Sequence, residues 1–267
     1  MAEIVAVADP DDPRIAAYRN VRDRDLAGGH GGRFVAEGET VLAVALTAGR
    51  FRMESLLVAE NRVAALEPLF AAHDLPVFVA PMAVMEAIVG FPIHRGVLGV
   101  GLRGTPADPA ALLAARPPLV VGLSGIANHD NVGGIFRNAA AFGARAVLID
   151  GATCDPLYRK ALRVSVGGVL KVPFARVPDT LAMVDLLAAA DYAVLGLSPR
   201  GARRLDEIPR DRPAALLLGT EGPGLSDAVM AATETVRIDM AGGFDSLNVA
   251  TTSGIALYEL ARGRTVG

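Results

Sequence analysis

The stretch from Leu216 to Leu260, LLLGTEGPGLSDAVMAATETVRIDMAGGFDSLNVATTSGIALYEL, restricts the fold more than any other. Twice within it, a short apolar run meets a loop of glycines and small polar residues, and a helical pattern follows. Leu216–Leu218 leads into Gly219, Glu221, Gly222, Pro223 and Gly224, and a helix starts at Ser226. Val236–Met240 leads into a second loop and then Ser246-Leu247-Asn248-Val249-Ala250, which opens the terminal helix. Strand–loop–helix units of this kind build parallel sheets, whose ligands bind beyond the carboxyl ends of the strands.

The same alternation runs through the rest of the chain. Phe34–Ala36, Met53–Val58, Val77–Ala80 and Gly96–Leu102 read as strands, and Gly38–Ala48, Arg62–Ala72 and Ala83–Val89 as helices. They predict a small α/β domain over residues 1–104. Residues 105–118, rich in proline around a short Ala/Leu helix, read as a linker. Residues 119–267 form the second domain. Its predicted strands are Leu119–Leu123, Ala146–Ile149, Pro173–Val177, Ala193–Leu197, Ala214–Leu218 and Val236–Met240. Its predicted helices are Val132–Phe142, Tyr158–Leu170, Thr180–Ala190, Ser226–Ala232 and Leu247–Arg262. The fold class is α/β, with a mainly parallel sheet and helices on both faces.

Residues 1–33 read differently. They are polar, with Arg14, Arg19, Arg22, Arg24 and Arg33 against Asp23 and Asp25 beyond the Asp/Pro-rich start. Arg14–Leu26 could form a solvated basic helix or an RNA-facing patch, and Gly28–Gly32 breaks it. Gly99-Val100-Gly101-Leu102-Arg103-Gly104 fits the GxGxxG pattern of dinucleotide sites, but Thr105-Pro106-Ala107-Asp108-Pro109 follows where that site needs a helix. A nucleotide-dependent oxidoreductase is disfavoured on that ground.

Composition narrows the class. Apolar residues are 52% and aromatics 5%, which suits buried parallel strands under helices. No apolar run reaches the roughly 18 residues of a membrane span, and the N-terminus lacks a basic start before an apolar core. Cys154, the single cysteine, makes no internal disulfide and points to a reducing, cytoplasmic setting. A net charge of −3 argues against coating nucleic acid through bulk charge. Of 26 basic residues only Lys160 and Lys171 are lysine. Two readings fit that bias: the codon usage of a GC-rich genome, or forked arginine bonds to phosphate.

Three elements carry candidate chemistry. Asn131-Val132-Gly133-Gly134-Ile135-Phe136-Arg137-Asn138 follows the first strand of the second domain. Ile135, Ala139 and Phe142 make its apolar stripe, and Arg137 lies off it. Paired glycines cost helix stability, roughly 1 kcal/mol each, unless another backbone or a ligand comes close. A helix start beside an arginine suits a phosphate. Gly219–Gly224 is the second element, with Glu221 as a carboxylate at a strand end. The third is Asp245-Ser246-Leu247-Asn248. Asp245 or Ser246 serves as a plain helix cap, which leaves Asn248 in need of a partner.

Together these elements resemble the SpoU (TrmH-like) RNA 2′-O-ribose methyltransferases of the SPOUT superfamily. The family's three motifs stand in order as NVGGIFR (Asn131–Arg137), LGTEGPGLS (Leu218–Ser226) and MAGGFDSLNVATTSGIALYE (Met240–Glu259). The resemblance covers residues 119–262. The segment before it, including His94-Arg95-Gly96-Val97, looks like the small RNA-binding domain that many members carry. The resemblance implies a C-terminal trefoil knot, a homodimer, and S-adenosylmethionine as methyl donor, with no metal. It assigns catalytic roles to Arg137, Asn131, Glu221, Ser246 and Asn248. It also assigns cofactor contacts to Leu197, Gly219, Glu221, Gly222, Ile238, Met240 and Leu247. Two departures are visible. His129-Asp130 stands where a proline often precedes the asparagine, and Ser165-Val166-Gly167-Gly168 replaces a usual Ser-Ala-Gly-Ala run.

The implied reaction is attack of a ribose 2′-hydroxyl on an electrophilic S-methyl group. A guanidinium stays protonated and makes a poor base, so clamping phosphate and orienting the hydroxyl fit Arg137 better. An RNA-binding domain in front favours ribosomal RNA over transfer RNA as substrate. The alternative from another class is a non-catalytic RNA-binding protein on the same fold.

Overall fold

A computed structural model of the chain describes residues 2–19, 32–89, 95–242 and 246–263. The chain first forms β1 (Glu3–Ala6), β2 (Arg33–Glu37), α1 (Glu39–Thr47), β3 (Met53–Ala59), α2 (Val63–Phe70), β4 (Pro76–Ala80), α3 (Met82–Val89) and β5 (Val97–Leu102). It continues with α4 (Pro109–Ala114), β6 (Leu119–Leu123), α5 (His129–Ala141), β7 (Ala146–Ile149), α6 (Arg159–Val164), α7 (Gly168–Lys171) and β8 (Phe174–Arg176). It closes with α8 (Thr180–Ala189), β9 (Ala193–Leu197), β10 (Arg203–Arg204), β11 (Ala214–Leu218), α9 (Asp227–Ala231), β12 (Glu234–Arg237) and α10 (Val249–Ala261). Two compact units result: Met1–Thr105 with Asp155–Lys171, and Pro106–Cys154 with Val172–Gly267.

The first unit has a five-stranded sheet in the order β1-β4-β3-β5-β2. β1, β4 and β3 run parallel, and β5 is antiparallel to both β3 and β2. The glycines that imitate a dinucleotide motif are strand residues of β5. A Cβ at Gly99 would sit 2.5 Å from Leu42 Cδ2, and one at Gly101 would collide with the Phe34 ring. Their small size serves packing.

The second unit has a seven-stranded sheet in the order β10-β12-β9-β11-β6-β7-β8, with every neighbouring pair parallel. β6, β7 and β11 are buried along their whole length, as sheets covered on both faces require. All seven strands point the same way, so the loops after β6, β9, β11 and β12 gather at one edge.

Several expectations need correction. β1 was not expected, because four residues at a sheet edge, mostly exposed, carry little pattern; pairing with β4 makes it a strand. The expected helix from Arg14 is a 3-10 helix, Pro13–Tyr18, capped by Asp12 and anchored by buried Ile15 and Tyr18. The rest of that expectation, with Arg22, Asp23, Arg24, Asp25 and residues 28–31, lies outside the described residues, as does His94. Tyr158–Leu170 is two short helices, because Val166 and Gly167 take positive φ between them and Gly167 packs on Val44. The expected strand Val236–Met240 is β12, shifted earlier, so Ile238 and Met240 lie beyond the sheet.

Candidate active site

The site grows from three helix starts and strand ends of the second unit. Asn128 caps α5, its side chain accepting from Asp130 N–H at 2.8 Å, so the helix begins earlier than the apolar pattern suggested. Asn131 falls in the first turn and is 4% exposed. Ile135, Phe136 and Ala139 bury the core face, while Arg137 is exposed.

After β11 the chain folds back on itself. Thr220 and Gly224 pair through the Gly224 N–H, 3.1 Å from the Thr220 carbonyl, and a Cβ on Gly219 would collide with the Gly224 backbone. This tight return lifts Glu221 to the loop tip. Ser226 then caps α9 by accepting from Val229 N–H at 3.3 Å.

Asn248, not Ser246, caps α10. Its Oδ1 accepts from Ala250 N–H at 2.9 Å and Thr251 N–H at 3.2 Å. That capping turns its NH₂ outward, where it donates to Asn131 Oδ1 at 2.9 Å and to Glu221 Oε1 at 3.4 Å. The Asn131 NH₂ in turn donates to Glu221 Oε1. Glu221 is the acceptor at which all three motifs meet, and bonds to an ionised acceptor are the stronger kind. The partner that Asn248 needed is therefore Asn131 and Glu221 together.

The structure does not join every expected residue to this node. Among the described residues, neither Arg137 nor the exposed Ser246 hydrogen-bonds to it, and Asp245 lies outside them. Six residues along a helix rotate a side chain well away from its starting face, which separates Arg137 from Asn131.

Leu197 ends β9, Gly219 directly follows β11, and Ile238 directly follows β12. β12, β9 and β11 are adjacent and parallel, so these three positions share the edge at which α5 starts. Leu197, Ile238 and Met240 are half-buried there, and Leu247 is 47% exposed just before α10.

One contributor escaped the sequence reading. Asn138 donates to the Ala250 carbonyl at 2.7 Å and to Ser253 Oγ at 2.9 Å, pinning α5 to α10. Gly134 makes the approach possible, since a Cβ there would lie 2.7 Å from the Ala250 methyl. At that position the glycine serves helix–helix packing. The signal was present in the spacing: Asn131, Gly134 and Asn138 form an i, i+3, i+7 line of polar or small residues beside the apolar stripe.

Comparison with known proteins places this geometry. The model of the SpoU rRNA Methylase family matches residues 118–258. A relative from Mycobacterium bovis, named an uncharacterized tRNA/rRNA methyltransferase, is 38% identical over 97% of this chain and 92% of its own. Among solved structures, an AdoMet-bound rRNA methyltransferase from Sinorhizobium meliloti superposes with a TM-score of 0.82 at 25% identity, covering 98% of this chain and 99% of the other. An RNA 2′-O ribose methyltransferase superposes with a TM-score of 0.78 at 25% identity, over 97% and 99%. By its motifs, its fold and these matches, the chain belongs to the SpoU rRNA methylase family.

Proposed function

We propose that this chain transfers a methyl group from S-adenosylmethionine to a ribose 2′-hydroxyl of RNA, with ribosomal RNA preferred to transfer RNA. The observation that carries the reading is the Asn131–Glu221–Asn248 node, built at the carboxyl edge of a parallel sheet on the same helix that presents Arg137 to solvent. The similarity to proteins named rRNA methyltransferase and RNA 2′-O ribose methyltransferase supports the substrate.

The residues at that edge suit the cofactor. Half-buried Leu197, Ile238 and Met240, with exposed Leu247, offer apolar walls to an adenine ring. The loop from Gly219 through Gly222 presents backbone, because Gly219 has no room for a side chain. S-adenosylmethionine supplies an electrophilic methyl group when bound. Glu221, fixed by two amides, holds the loop that lines the pocket. Arg137 clamps an RNA phosphate and orients the 2′-hydroxyl in line, a contribution of geometry rather than base strength. Ser246, beside the cap of α10, faces the ribose.

The working division of the chain is a residues 1–104 RNA-binding domain, a 105–118 linker and a methyltransferase domain over 119–267. A trefoil knot fits the way the chain between β9 and β11 reaches α10: Arg210 bonds Glu259 at 2.6 Å and the Arg262 carbonyl at 2.9 Å. The enzyme works as a homodimer through α5 and α10. Ile255 and Tyr258 are 42% and 58% exposed on one face of α10, and the Tyr258 ring meets Phe142 edge-on at 5.9 Å. These exposed apolar side chains, one turn apart on α10, suit a helix–helix contact with a second copy. No helix among the described residues is long and apolar enough to cross a membrane, and a cytoplasmic setting suits an RNA substrate.

The test is methyl transfer from radioactive S-adenosylmethionine to RNA of a strain deleted for the gene, with S-adenosylhomocysteine affinity measured in parallel. Labelled RNA with 2′-O-methylated ribose is the expected product. Cofactor binding without labelling would favour the non-catalytic RNA-binding reading.

A further inference from the structure

We infer that Asp150, which no step above uses, is a positioning residue for methyl transfer: its carboxylate holds the loop between β6 and α5 in the shape that places Asn131 and Arg137. The inference rests on the RNA methyltransferase reading for its kinetic consequence, and on hydrogen bonding alone for its structural one.

Asp150 directly follows β7 and is 6% exposed. A carboxylate buried to that degree needs a cation or several donors. Donors meet it from three segments. The Gly125 N–H lies 3.0 Å from both oxygens. Thr153 gives its N–H and its hydroxyl, each at 2.8 Å, and Thr180 gives its hydroxyl at 3.0 Å. Among the described residues no cation pairs with this carboxylate; Arg176 reaches the backbone carbonyls of Asp150 and Thr153 instead. Thr180 stands in the first turn of α8, where the helix also favours an anion. Because Thr180 spends its proton on Asp150, the Ser124 hydroxyl 2.7 Å away donates to Thr180.

The mechanical point of the clamp is Gly125. Its φ of 67° is left-handed, and a Cβ there would lie 2.7 Å from Thr220 Cγ2, next to Glu221. The following residues are tied to the same corner. Ile126 N–H donates to the Thr153 hydroxyl at 3.2 Å, and Cys154 N–H donates to the Ile126 carbonyl at 3.0 Å. Two residues later Asn128 caps α5, and Asn131 sits in its first turn. Asp150 thus sets where α5 begins relative to the Glu221 loop, without touching either site residue.

Asp150→Asn replaces one acceptor oxygen with an NH₂ aimed at donors. In the full-length enzyme, kcat for RNA methylation should fall at least about tenfold while KM for RNA stays within about threefold; affinity for S-adenosylhomocysteine should weaken by a smaller factor than kcat, because Asn131 is displaced but not lost. Amide exchange over residues 124–131 should accelerate, a readout that needs no RNA. If Asp150→Asn does not fold, Gly125→Ala carries the test, since it strains the clamped residue and presses on Thr220. It should show the same kcat loss, partly restored by adding Thr220→Ser, which removes the opposing methyl. A folded variant with unchanged kcat, a loss confined to KM for RNA, or cofactor affinity falling in step with kcat would each overturn the assignment. Wild-type enzyme that labels no RNA would sink the methyltransferase reading instead. Unchanged amide exchange in Asp150→Asn would by itself overturn the clamp.

Discussion

Helix α5 carries Asn131 and Arg137 six residues apart, and the two side chains stand in opposite surroundings. Asn131 is buried and uses both ends of its amide, donating to Glu221 and accepting from Asn248. Arg137 is exposed, with no acceptor among the described residues. One face of the helix assembles the site, and the other carries an exposed cation. A long exposed cation on the helix that also carries Asn131 suits an incoming phosphate, whereas Asn131 already spends both ends of its amide inside the node. The difference separates residues that build the site from the residue proposed to work on RNA.

Breaking the outer face should produce the largest effect. Arg137→Ala should cut methyl transfer by about a hundredfold to a thousandfold, the scale seen when one positioned donor is lost at a reacting centre. Affinity for S-adenosylhomocysteine should hold, and stability should change by no more than about 0.5 kcal/mol, as for other surface substitutions. Kinetics, calorimetric titration and thermal unfolding together check this. A comparable loss of cofactor binding would place Arg137 with the builders.

Breaking the inner face should instead cost structure. Asn131→Ala removes the buried amide that links Asn248 to Glu221; both partners are exposed and can turn to water, so the loss should be about 0.5–1.5 kcal/mol in denaturant unfolding. Both cofactor affinity and transfer should fall with it. Gly134→Ala is subtler, because two effects oppose. Alanine gains about 1 kcal/mol of helix propensity, but a methyl 2.7 Å from Ala250 overpacks by about 1–3 kcal/mol, so crowding should win. Adding Ala250→Gly should recover most of the loss. If Gly134→Ala alone stabilises the protein, the helices have room to part.

The smallest effect on the fold should come from the exposed strip of α10. Tyr258→Asp puts a charge on an apolar face, and sedimentation should show a shift from dimer to monomer with little change in far-UV circular dichroism. A dimer that persists would move the interface elsewhere.

Much of this was legible in the sequence, for physical reasons that differ by region. β6, β7 and β11 are continuous apolar runs because both faces of a parallel strand are covered, so their boundaries emerge almost unchanged. Glycine and proline marked the Gly219–Gly224 loop directly. β1 stayed hidden because its strand character comes from pairing with β4, some seventy residues away. The break at Val166–Gly167 was only half legible: Gly167-Gly168 is a break signal, but a valine at positive φ is something tertiary packing imposes. At the site, the identities of Asn131, Glu221 and Asn248 were readable but their mutual bonding was not. Asn248 looked like a helix-destabilising residue needing a partner, and its double role as cap and link depends on where α5 lies. Asp150 gave no signal at all: an aspartate after a strand is ordinary until Gly125, Thr153 and Thr180 are seen around it.

The most direct measurement is a map of 2′-O-methylated nucleotides in RNA from a deletion strain, complemented in turn with wild-type chain and with Arg137→Ala. The expected result is a ribosomal RNA nucleotide that loses its 2′-O-methyl group on deletion and regains it with the wild type alone. An unchanged map, or full restoration by Arg137→Ala, would contradict the division of α5 into a building face and a working face.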